Sequence, residues 1–221
     1  MKKILFTAVV FIITQANIFA QGNSDKTVST AYLQAMQANL KILDTASTIS
    51  TLRMVANNFE RIGKAEKDKW EPFYYAAYCT ALQAVQADKA AIDELADKAD
   101  GYLQQAVAVQ DNSENAALAG MITASRIMVD PMSRFMVKGP EAAAFLEKAK
   151  QLDPTNPRPY FLQAKTQIRT PEAMGGGKQV AKGSLEKAVE KYAVWTSTNP
   201  LAPNWGKSQA QAMLNGLNQQ Q

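Results

Sequence analysis

The chain of 221 residues carries 24 lysines and arginines against 20 aspartates and glutamates, with no histidine and one cysteine. Those counts exclude a Ser-His-Asp or Cys-His nucleophile pair, a histidine-ligated metal, an internal disulfide and a thiolate cluster. The net charge of +4 falls to +2 when Lys2 and Lys3 are set aside with the leader described next, which is too small to indicate nucleic acid as a partner.

Lys2 and Lys3 precede an uncharged, mostly apolar run from Ile4 to Ile13, followed by the polar Thr14, Gln15 and Asn17. This is the layout of a signal peptide, with Ile18 and Ala20 at the minus-three and minus-one positions of a cleavage site. The apolar run is about half the roughly 20 residues that a spanning helix needs, and no cysteine follows that could take a lipid. The expectation is export to the periplasm or outside the cell, cleavage after Ala20, and a single domain over 21–221. A domain of this size buries roughly 70% of its unfolded surface without help from disulfides.

Beyond the leader, alanine and straight-chain residues dominate and β-branched runs are scarce, which predicts helices and no strands. The predicted helices run Thr27–Leu43, Ile49–Lys67, Pro72–Ala87, Lys89–Gln110, Glu114–Val129, Pro140–Leu152, Pro157–Ile168, Lys178–Trp195 and Pro203–Leu217. Pro140, Pro157 and Pro203 are placed in first turns, Ser113 as a cap, and Pro154 and Pro200 as terminators. Gly101 marks either a break in its helix or a close helix contact.

An internal repeat organises these helices. Ala99, Leu103 and Ala106 have the spacing Ala-x3-Leu-x2-Ala, which recurs at Ala142, Leu146 and Ala149 and at Ala181, Leu185 and Ala188. Small residues at these positions let a second helix approach its neighbours while the leucine fills the space between hairpins. Pro72-Phe73 with Ala77, and Pro159-Tyr160 with Ala164, repeat on first helices. Leu-Asp-Pro-Thr-Asn-Pro at 152–157 reads as a junction between units.

These residues resemble the tetratricopeptide repeat, although the separations of 43 residues between Ala106 and Ala149 and 39 between Ala149 and Ala188 exceed its period of about 34. The resemblance covers about residues 70–200, extends to an earlier hairpin through Phe59 and Ile62, and leaves Pro203–Leu217 as a capping helix. It implies an all-α, right-handed superhelix of about four helical hairpins plus that cap. With Pro-Asn-Trp-Gly-Lys at 203–207 and Gly-Gly-Gly-Lys at 175–178, the chain also resembles small exported repeat proteins of Bacteroidetes-type bacteria.

Few residues suggest chemistry. Gly175-Gly176-Gly177-Lys178 could cradle an anion, but Glu172 and Gln179 stand where a P-loop needs Gly and Ser or Thr, so a turn is the preferred reading. Met128, Met132 and Met136 could bind Cu(I), yet methionine more often fills irregular core gaps. Asp93, Asp97 and Asp100 share a helix face, read as a solvated one beside Lys89 and Lys98. No catalytic residue, cofactor or metal site is predicted, and the chain is not expected to be an enzyme.

What the resemblance implies about function is a concave groove. Carried across on Phe73 and Ala77, groove positions fall on Glu71, Tyr74 and Tyr78. On Tyr160 and Ala164 they fall on Arg158, Phe161, Lys165 and Arg169. Lys165 and Arg169 echo repeats that clamp peptide carboxylates, whereas Tyr74 and Tyr78 depart from them. Trp70, Tyr74 and Tyr78, spaced by four, also fit a stripe packed on a neighbouring helix. The leading expectation is an exported adaptor or scaffold that holds a protein or peptide in this groove. The alternative is a periplasmic small-ligand-binding accessory of an uptake system, and homo-oligomerisation through the repeat ends is open.

Overall fold

A computed structural model of the chain describes residues 29–219, so the leader and its cleavage site lie outside the described residues. Within them the chain forms nine α-helices and no strand. These are α1 (Thr30–Leu43), α2 (Ile49–Ala65), α3 (Glu71–Gln86), α4 (Lys89–Val109), α5 (Ser113–Ile127), α6 (Pro131–Leu152), α7 (Arg158–Arg169), α8 (Lys178–Val194) and α9 (Lys207–Asn218). A single 3-10 turn, Glu172–Met174, sits between α7 and α8. Each helix packs on the next in an all-α superhelical stack.

The repeat has a direct packing meaning. All nine of its residues are buried, Ala99, Leu103 and Ala106 on α4, Ala142, Leu146 and Ala149 on α6, and Ala181, Leu185 and Ala188 on α8. Alanine at the points of closest approach lets neighbouring backbones come together, and each buried leucine contributes about 1.5–3 kcal/mol of hydrophobic stabilisation. Gly120 on α5 takes this further, because an added Cβ would lie 2.7 Å from the Leu146 Cδ2. The α3 helix is buried on nearly every face, which its small residues Ala76, Ala77, Cys79, Ala81 and Ala84 permit.

Several predicted boundaries are corrected. The α6 helix starts at Pro131 rather than Pro140. Asp130 caps it by accepting a hydrogen bond from the Ser133 amide at 3.3 Å, and Pro131 fills the first turn. Pro140 is therefore inside the helix, where it withholds one amide donor. Asn112, not Ser113, caps α5 through the Asn115 amide at 2.9 Å. Pro203 precedes α9 instead of opening it. Gly101 marks neither a break nor a close contact, since α4 runs through it and an added Cβ would meet nothing within 4 Å.

The hydrophobic side chains form two clusters, one spanning α1 to α7 with Leu201 and one uniting α7, α8 and α9. Trp205 packs against both. The segment between α8 and α9 thus joins the two clusters.

Candidate functional site

Five of the seven predicted groove residues face the chain's own Trp195–Gly206 segment rather than open space. Tyr78 stacks on Trp205 with ring centroids 4.9 Å apart, and the Trp205 Nε1 donates to the Tyr74 hydroxyl at 2.9 Å. Glu71 accepts from the Asn199 amide at 2.8 Å. Phe161 lies beneath Gly206. Arg158, wholly buried, donates to Glu114 at 2.8 Å and to the Pro203 carbonyl, with its guanidinium 4.5 Å from the Trp195 ring centre and 5.3 Å from that of Trp205. The neighbouring Tyr75 hydroxyl donates to the Leu201 carbonyl at 2.8 Å.

This corrects the expectation of an open groove along Glu71, Tyr74, Tyr78, Arg158 and Phe161. The aromatic and cationic surface exists, but an intramolecular segment satisfies it. What stays open beside it is a cleft of about 840 Å³ between α1, α3 and the start of α9, lined by Leu40, Tyr75, Tyr78 and Trp205 together with polar α9 side chains.

Lys165 and Arg169 behave differently. They lie one turn apart on α7 and line a separate cavity of about 320 Å³ between α5, α6, α7 and the 3-10 turn. The α5 helix contributes Met121, Ala124 and Met128, α6 contributes Met132, Phe135 and Leu146, and Leu162 and Met174 complete an apolar wall. The methionine segment thus resolves into two roles. Met128 lines the cavity and Met132 stands largely exposed at its rim, whereas Met136 is exposed and outside the lining. An apolar cleft with a few placed polar groups is the usual form of a small-ligand site.

The polar groups of this cavity are unusual in their sign, because its lining includes no acidic residue. The Lys165 ammonium sits 5.5 Å from the Phe161 ring centre, and Arg169 Nη1 lies 3.6 Å from the Met128 sulfur. Burial, and then the neighbouring Arg169 charge, hold the Lys165 pKa below its ordinary value. The Thr166 and Thr170 hydroxyls are spent on the Leu162 and Thr166 carbonyls.

Two features that frame the cavity carry sequence signals of their own. The aspartates Asp93, Asp97 and Asp100 of α4 are not merely solvated. Arg126 at the end of α5 reaches Asp97 at 2.7 Å and Asp100 at 2.6 Å, while Arg134 in α6 holds Asp93 through both carboxylate oxygens at 2.7 and 2.8 Å. This network pins the turn from α5 into α6, and hence the wall bearing Met128 and Met132. The glycine run follows Met174, which lines the cavity. Gly175, Gly176 and Gly177 direct their amides to the Glu172, Pro171 and Gln167 carbonyls, so none is left for an anion. Gly176 has no room for a side chain, because its Cβ would strike the Thr170 carbonyl.

Among the described residues no group of three or more histidine, cysteine, aspartate or glutamate side chains could hold a metal, and no helix is long and apolar enough to cross a membrane. Cys79 is buried in α3, and burial pushes its thiol pKa up.

No protein-family model and no curated protein matches the chain. A solved structure does. The HusA haemophore from Porphyromonas gingivalis is 34% identical in sequence, superimposes with a TM-score of 0.79, and is matched over 86% of this chain and 94% of that one. The chain belongs to the HusA haemophore family. The all-α superhelical fold is thus shared with HusA over nearly the whole length of that chain.

Proposed function

We propose that the protein is an exported, non-enzymatic carrier that binds a tetrapyrrole of the haem class in the cavity between α5, α6 and α7, as an accessory to uptake. A signal peptide over residues 1–20 and a single binding domain from residue 21 onward are parts of this proposal. The observation that carries it is an apolar cleft with Lys165 and Arg169 as its charged groups, in a chain related to a haemophore. A flat apolar macrocycle with acidic substituents matches such a lining: burial of its faces is favourable at about 25 cal/mol per Å², and its anionic edge meets cations.

The chain's lack of histidine removes imidazole as an iron ligand. Met121, Met128, Met132 and Met174 are the soft donors that line the cleft. The adaptor reading, the leading expectation from the sequence, loses support because Glu71, Tyr74, Tyr78, Arg158 and Phe161 face Trp195–Gly206 of the same chain.

The test is a visible-absorbance titration of the purified mature protein with haemin, alongside Ala124→Trp, which fills the cleft from the last turn of α5. Saturable binding by the wild type that the variant loses, with an unchanged circular dichroism spectrum, supports the reading. Equal binding by both proteins places the ligand elsewhere, and no binding by either removes the reading.

A further inference from the structure

Arg126, Arg134 and Arg158 each have a carboxylate partner within the protein. Among the described residues Lys165 and Arg169 have none, and they share a cleft wall that includes no acidic residue. Two like charges in an apolar setting raise the free energy of the empty state, as the lowered Lys165 pKa reflects. An incoming anion offsets that cost. Thr166 and Thr170 already donate to backbone carbonyls, so polar recognition on this wall falls to the two cations.

Their separation selects the ligand's chemistry. Residues four apart on a helix differ by about 6 Å along its axis, an offset suited to two acidic groups on one edge of a flat molecule. Lys165 is half-buried and Arg169 exposed, so one acid is drawn inside the cleft and the other held at its rim. Arginine can hold its acid with two parallel hydrogen bonds, while lysine acts as a point charge that follows small displacements.

Resting on the tetrapyrrole reading above, we infer that Lys165 and Arg169 form a two-point clamp for the paired carboxylates of the ligand. The clamp makes the site specific for the free diacid over its diester, and it orients the ligand with its carboxylate edge against α7.

The experiment compares metal-free protoporphyrin IX with its dimethyl ester by fluorescence titration, using the full mature chain, Lys165→Met with Arg169→Met, and the charge-preserving exchange Lys165→Arg with Arg169→Lys. The wild type is expected to favour the diacid by about tenfold or more, the equivalent of one charge-assisted hydrogen bond. The double methionine variant should bind diacid and diester alike, at the wild type's affinity for the diester, and the charge-preserving exchange should keep most of the preference. Equal affinities of the wild type for the two forms, or a preference that survives the methionine variant, would overturn the clamp while leaving tetrapyrrole binding intact. If the wild type binds neither form, the clamp and the tetrapyrrole reading fall together.

Discussion

The two ends of α7 present the same side-chain chemistry in opposite states. At its start, Arg158 is wholly buried, paired with Glu114, bonded to the Pro203 carbonyl and stacked against Trp195 and Trp205. At its end, Lys165 and Arg169 have an aromatic face and a thioether for company, and an open cleft in front of them. A cation whose counter-charge comes from the same chain is part of the scaffold. A cation kept in an apolar wall without one is available to an incoming anion. The comparison separates structural from functional charge on one helix of 12 residues.

Arg158→Met should produce the largest effect in testing this contrast. It leaves Glu114 buried without its cation, which costs about 3–5 kcal/mol and should appear as a large drop in the urea midpoint. Adding Glu114→Gln to Arg158→Met should recover a substantial part of the loss; no recovery would show that the pair itself contributes little and that packing on the tryptophans dominates. Tyr75→Phe comes next, with a loss of about 1 kcal/mol in the same assay, because the Leu201 carbonyl loses its donor. At the other end of α7, Lys165→Met with Arg169→Met should change stability by no more than about 0.5 kcal/mol, since no internal partner is lost. Destabilisation comparable to that of Arg158→Met would erase the distinction.

The smallest effect concerns pH. Burial raises the Glu114 carboxyl from 4.5 to about 7, with Arg158 opposing the shift. The folded state then holds a proton that the unfolded state has released between these values, so stability falls as pH rises through that window. Glu114→Gln should flatten this slope, as measured by the difference in melting temperature between the two proteins across the same range. An identical slope in both would assign the pH dependence to other groups.

The parts of the fold legible in the sequence are those set by local spacing. Ala-x3-Leu-x2-Ala marks the second helices because close approach demands small residues at fixed positions on one helical face, and every one of them is buried. The start of α6 was legible in principle through Asp130 and Pro131, a cap followed by a first-turn proline, but Pro140 carries the same local signal and competes with it. Lys165 and Arg169 stand out by their spacing, yet their setting does not, because the cavity is assembled from three helices and the turn at Glu172–Met174. Least legible was the filling of the groove. Nothing near Tyr74 or Tyr75 announces that Trp205 and Leu201, 131 and 126 residues further on, will cover them.

That covering segment changes how the molecule can be assembled. A solenoid whose units touch only their neighbours can be shortened from one end with a nearly additive loss, and it can begin folding anywhere. Here the last elements are tied to α3 by contacts of very long sequence separation, so the array is closed on itself. Non-local closure of this kind slows folding, because loop entropy is lost before the contacts reward it. A chain delivered across a membrane from its N-terminus would expose Tyr74, Tyr75 and Tyr78 until Leu201 and Trp205 arrived, which makes docking of that segment the step that commits the array to its native form.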